Sequence, residues 1–204
     1  MKEMFTIEAA RNSVLPVGGG LWVVALHPEQ RISPPYTEWD FAGPITRIPE
    51  FCAPALGNKP NIVTLDVEVP EGAEGVLYAL GANSGGVTCF VDGGHLCFEY
   101  NLFIIQRTKV RAEARLPSGR RKIEVITSYA ELRPAGPLDI TLKVDDDTVA
   151  SGVVPVSAPL LFTANDCLDV GTCLGSPVAL DYHERAPFPF NGTIHRMHVA
   201  YQTP

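Results

Sequence analysis

The chain has 204 residues, of which 46% are hydrophobic and 19% charged, and its formal net charge is −7. That length suits one large domain, or one domain with an extension, and the hydrophobic share excludes a disordered chain. The acidic balance argues against nucleic acid and anionic membranes as partners, and no apolar run approaches the ~20 residues that span a bilayer.

Up to about residue 60, prolines interrupt any long strand: Pro16, Pro28, Pro34, Pro35, Pro44, Pro49 and Pro54. The same stretch carries both tryptophans, Trp22 and Trp39, with Tyr36 between them. It reads as a Pro-rich N-terminal arm over 1–60, laid on the domain that follows or on a neighbouring one. Trp22, Tyr36 and Trp39 are its candidate ligand or interdomain contacts. A platform for a sugar or aryl group is one use of such a trio, and burial of the arm is the other. The opening MKEMFTIEAARN has no continuous apolar core of the kind a secretory signal needs.

From residue 61 on, the pattern changes to period 2. Over 62–69, Val63, Leu65, Val67 and Val69 oppose Thr64, Asp66 and Glu68; over 138–144, Leu138, Ile140, Leu142 and Val144 oppose Asp139, Thr141 and Lys143. A clean split of this kind marks antiparallel strands with one wet face. Between them, 87–91 and 96–102 form a hairpin around Asp92-Gly93-Gly94, with Leu96, Phe98, Tyr100 and Leu102 on one side of its second arm. His95, Cys97, Glu99 and Asn101 take the other side, so one buried face is expected. Further strands fall over 76–81, 104–113, 122–131, 149–155 and 193–201. Turn residues separate them, as at Pro70-Glu71-Gly72, Pro117-Ser118-Gly119 and Asp145-Asp146-Asp147. About ten short strands without helical crossovers predict an all-β fold over 61–204, a two-sheet antiparallel β-sandwich.

No segment assembles a nucleophile, base and orienting group. Gly81-Ala82-Asn83-Ser84-Gly85 lacks the spacing of a nucleophile elbow and reads as a turn. His195 and His198 lie in a strand pattern that would point them to opposite faces. Asp145-Asp146-Asp147 lacks the alternating ligands of a calcium loop. Asn191-Gly192-Thr193 matches a glycosylation acceptor and also a turn opening the last strand. Asp166, Asp169 and Asp181, with Asn165, are weak metal candidates, since carboxylates at a sandwich rim suit calcium; turn capping is the simpler role for them. The five cysteines (Cys52, Cys89, Cys97, Cys167 and Cys173) form no C-x-x-C pair. Free thiols in a reducing compartment are expected, which with the missing signal favours the cytoplasm. Cys89 and Cys97 would face each other if the hairpin loop has three residues.

Several segments in order resemble the C-terminal region of bacterial arylsulfatases. They are EGVLYALGANSGGVTCFVDGGHLCFEYNLF, KVRAEARLPSGRRKIEVITSYAE, FTANDCLDVGTCLGSPVALDY and FNGTIHRMHV, and the likeness runs from about Met4 to Tyr201. The resemblance implies a concanavalin A-like, laminin G-like jelly roll appended to a sulfatase catalytic domain, in cis or in trans, and admits a homo-oligomer. The family's formylglycine, made from C-x-P-x-R, and its divalent metal would belong to that absent domain, leaving no cofactor for this chain. Cys52-Ala53-Pro54-Ala55-Leu56 approaches that motif but carries Leu56 where the arginine belongs. The family often has an acidic residue where this chain has Cys173, which weakens a metal site at Asp169. The implied role is a noncatalytic accessory domain; a free-standing carbohydrate-binding sandwich is the alternative.

Overall fold

A computed structural model describes residues 2–11, 36–129, 135–162 and 166–202. The chain divides into two compact units, Met1–Pro34 and Pro35–Pro204. In the first, the described residues form one helix, α1 (Lys2–Arg11), with Glu3 in the first turn where a negative charge suits the helix dipole. Among the described residues no helix is long and apolar enough to cross a membrane.

The second unit is the sandwich, with twelve strands among its described residues: β1 (Glu38–Phe41), β2 (Ile45–Pro49), β3 (Asn61–Val69), β4 (Gly75–Ala82), β5 (Gly85–Asp92), β6 (His95–Leu102), β7 (Gln106–Arg115), β8 (Gly119–Tyr129), β9 (Leu138–Val144), β10 (Asp147–Val154), β11 (Cys167–Val170) and β12 (Thr193–Tyr201). Sheet A has the order β1-β12-β3-β8-β9-β10 and sheet B the order β2-β11-β4-β5-β6-β7, each antiparallel throughout. The apolar positions expected from the alternation line the space between the sheets. Val63, Leu65, Val67, Ile123, Val125, Ile140 and Leu142 come from sheet A, and Leu80, Val87, Cys89, Leu96, Phe98 and Tyr100 from sheet B.

Three local features depart from the sequence reading. Residues 36–60 belong to the sandwich unit and supply β1 and β2, so the expected boundary near residue 60 falls inside it. Both strands have five residues or fewer and adjoin prolines, which hid them in the pattern; Trp22 lies outside the described residues. The hairpin between β5 and β6 closes on two residues, Gly93 and Gly94, both at positive φ, with Asp92 paired to His95. Such a turn fits the right-handed twist of the strands. It places Cys89 opposite Phe98 and Cys97 opposite Phe90, so the two thiols point to opposite faces of sheet B. All five cysteines are free.

The strand expected over 104–113 starts later, because residues 103–105 are a turn. Phe103 (φ 50°) and Ile104 (φ 67°) both lie in the left-handed region, and Ile105 N donates to Leu102 O at 2.8 Å. Left-handed geometry costs non-glycine residues about 1–3 kcal/mol each and is least suited to a β-branched one. Two contacts hold it: the Asn101 side chain accepts from Ile104 N at 3.0 Å, and the Phe103 ring packs 6.3 Å from that of Phe162.

Candidate functional site

Among the described residues no segment packs over the outer face of sheet A, and it is the best candidate for a binding surface. Its residues are the polar partners in the alternation. One rank crosses all six strands as Asp40, His198, Thr64, Glu124, Lys143 and Thr148. A second rank runs Arg196, Asp66 and Lys122. These side chains hold one another in place. Arg120 grips Asp66 with Nε at 2.9 Å and Nη2 at 2.6 Å from the two carboxylate oxygens. Arg196 grips Asp40 in the same two-pronged way, with Nε at 2.7 Å. Lys122 bridges to Asp146, and His198 stands 3.9 Å from Glu38. The hydrogen bonds from Arg196 and Arg120 hold the carboxyls of Asp40 and Asp66 below the usual carboxylate range.

His195 and His198 were expected on opposite faces. The pairing of β12 with β3 shifts between Ile194 and Arg196, a bulge that adds a residue to the strand. Ile194 and Met197 both turn inward, while His195, Arg196 and His198 take the solvent side. Period-2 counting fails at such a bulge. The rest of the face was legible as the polar half of each alternating strand, but which carboxylate would pair with which arginine depended on register.

The outer face of sheet B is occupied by the chain itself, which corrects the expectation of a single buried face on the hairpin. Residues 171–190 lie across it as a strap containing one 3-10 turn, His183–Arg185. Val178, Ala179, Tyr182 and Phe188 pack there on Val76, Ala79, Phe90 and Cys97. Tyr182 meets Phe90 edge-on at 5.2 Å and stacks on Phe188 at 5.6 Å; its hydroxyl donates to Thr88 Oγ1 at 3.1 Å. Polar groups under the strap are all used. Arg107 donates to Glu99 at 2.7 Å, to Val178 O at 2.6 Å and to Asn83 at 2.7 Å, and Lys109 joins Asp181. Asn101 Nδ2 donates to Asn83 O at 2.9 Å. Burial pushes the Cys97 thiol up to about 11, against the opposing effect of Arg111, so it is a packing group rather than a nucleophile.

The weak metal candidates are engaged elsewhere. Asp169 accepts from Arg47 N at 2.7 Å and Leu174 N at 2.8 Å, Asp166 accepts from Cys167 N at 3.1 Å, and Asp181 pairs with Lys109. No group of three His, Cys, Asp or Glu among the described residues is arranged to hold a metal. Burial raises the Asp166 carboxyl. Asn191 stitches a turn, accepting from Glu74 N at 2.9 Å and donating to Gly72 O at 3.1 Å. Trp39 meets Tyr201 edge-on at 4.9 Å and packs on the core, whereas Tyr36 is 63% exposed just before β1. Of the three aromatic candidates, Trp39 and Tyr36 thus have different surroundings, and Trp22 lies outside the described residues.

No protein-family model matches the chain, and no curated protein matches it either. Solved structures do. Domains LG4-5 of the mouse laminin alpha1 chain superpose with a TM-score of 0.50 at 17% identity, covering 83% of this chain and 43% of that one. The galectin LEC-6 of Caenorhabditis elegans gives 0.46 at 11% identity, over 79% and 95% of the two chains. A pentraxin of Limulus polyphemus gives 0.47 at 10%, over 83% and 73%. The chain thus spans under half of the laminin structure it matches. The likeness to laminin defines the fold, a concanavalin A-like, laminin G-like jelly roll.

Proposed function

We propose that the chain is a noncatalytic module that binds a carbohydrate on the outer face of sheet A. The observation that carries this reading is the pair of bidentate arginine–carboxylate grips, Asp40–Arg196 and Asp66–Arg120, on the outer face of that six-stranded sheet. Neighbouring hydroxyls of a sugar need donors and acceptors at fixed spacing. A gripped pair offers both, since the unused N–H groups of the guanidinium and the free lone pairs of the carboxylate stay in place. His198 and Thr64 extend the same rank, and Tyr36, exposed near the chain's entry into β1, offers an aromatic ring.

A glycan array followed by calorimetry on the hits tests this. Asp40→Ala and Arg196→Ala should each weaken binding at least about tenfold, the effect of roughly one good charge-assisted bond. Failure of the purified chain to bind any glycan would sink the reading.

A second reading, accessory domain of an arylsulfatase, rests on the resemblance drawn from the sequence segments alone, with no matching family model or curated protein behind it. On that reading the chain alone leaves aryl sulfates intact, and an in-frame C-x-P-x-R domain adjoins its coding sequence. A genomic context without such a domain counts against it.

A further inference from the structure

Strands β7 and β10 end their respective sheets and lie against each other along one side of the sandwich. Gly152 of β10 makes the close approach: a Cβ there would stand 2.7 Å from Val110 Cγ2 of β7. Further along, the alternate residues of β7 that follow Val110 shrink to Ala112 and Ala114, and β10 carries a bulge at Val149. Among the described residues no side chain fills the space this leaves, a cavity of about 210 Å³. Leu96, Leu116 and Val144, all buried, form its apolar floor. Arg115, Asp145 and Asp147 stand exposed at its rim. The rim charges are not equivalent. Asp145 is committed, accepting from Lys122 N at 3.0 Å and from Arg121 Nη1 at 3.0 Å. Arg115 and Asp147 enter no ion pair among the described residues, with each other or with any third group. Arg115 is nonetheless held in place. Leu116 N donates to Gly94 O at 2.8 Å, and the guanidinium lies against Gly94, where a Cβ would come within 2.9 Å of Nη1.

We propose that this cavity binds a small zwitterion with an apolar body, the class of the large aliphatic and aromatic α-amino acids. Size and lining choose the body. Benzene settles in an engineered apolar cavity of about 150 Å³, so the larger space here takes a phenyl ring or a branched aliphatic chain with its stem. A sugar fits poorly, because its hydroxyls would lose water over Leu96, Leu116 and Val144 without gaining partners. The rim chooses the head group. Arg115 offers its planar fork to a carboxylate, and Asp147 offers an acceptor to an ammonium. A ligand with the carboxylate alone would meet Asp147 as a like charge, and one with the ammonium alone would meet Arg115 so; a zwitterion answers both. The site lies between the sheets, apart from the outer face of sheet A, and does not depend on what binds there.

Titration of the full isotope-labelled chain with L-phenylalanine and L-leucine, followed through amide chemical shifts, tests it. The expected result is a saturable response centred on Ala112, Ala114, Leu116 and Val149, with dissociation constants in the millimolar range. Phenylpropionate, which lacks the ammonium, and phenethylamine, which lacks the carboxylate, should each bind at least about tenfold more weakly than phenylalanine, the worth of one charge-assisted bond. Arg115→Gln and Asp147→Asn, both at exposed positions, should each weaken phenylalanine by a similar factor. Ala114→Leu fills the cavity and should abolish the response while circular dichroism stays unchanged. Glu113→Gln, an exposed neighbour on the opposite side of β7, should leave it as it is. No saturable response to either amino acid up to its solubility overturns the inference. So does phenylpropionate binding as tightly as phenylalanine, or a response that survives Ala114→Leu.

Discussion

Sheets A and B are built alike, with six antiparallel strands each and a shared core, yet their outer faces have opposite fates. Sheet A shows water a regular lattice of charged pairs. Sheet B hides Thr88, Phe90, Cys97, Glu99 and Asn101 under residues 171–190. The difference is already written into the strands. Those of sheet A alternate apolar and polar residues, whereas β4 (GVLYALGA) and β5 (GGVTCFVD) run nearly unbroken in apolar residues, the mark of a strand covered on both sides. A polar group under the strap must find a protein partner, because water is gone; on sheet A it need not. The same kind of ion pair is therefore enclosed by protein on one face and left in contact with water on the other.

The largest expected effect tests the strap. Tyr182→Ala removes the ring between Phe90 and Phe188 and the bond to Thr88. It should cost about 4 kcal/mol in urea unfolding, as for other buried aromatics, and open residues 171–190 to protease. If the strap rests loosely on the sheet, the loss will be under half of that. Next comes the paired comparison of charges. Glu99→Ala removes the buried carboxylate that half-buried Arg107 and Lys109 share and should cost about 2 kcal/mol, whereas Asp66→Ala on the outer face of sheet A should cost under about 1 kcal/mol. Equal losses would erase the distinction between the faces. The smallest effect is in acid. Asp40 and Asp66 lie below their ordinary value of 3.8 in the folded chain, so their contribution is complete above that value and disappears as pH falls through the folded pKa. Melting temperature followed from neutral pH into acid should fall less steeply in Asp66→Asn than in the parent, and identical slopes would remove Asp66 from the account.

The sandwich was legible because its long strands obey a simple period, and the inward residues of β3, β6 and β9 are those the alternation selects. What escaped was whatever depends on a single residue of register. One extra residue at His195 turned both histidines outward, and one fewer in the loop at Gly93-Gly94 sent Cys89 and Cys97 to different sides. β11 escaped for another reason: four residues are too few to show a period. The strap was invisible as a cover because irregular segments carry no period at all. Tyr182 and Phe188 take their meaning only from the outward Phe90 beneath them.

The strands that begin and end the sandwich unit meet in sheet A. β1 and β12 pair side by side, Glu38 with Ala200, and Tyr201 N donates to Thr37 O at 2.9 Å. Entry and exit of the sandwich are thus adjacent points on one rim. A unit with neighbouring termini can be spliced into a surface loop of a host, or circularly permuted, without stretching either connection. The jelly roll is in this sense a cassette, free to change its context while its strand order stays the same.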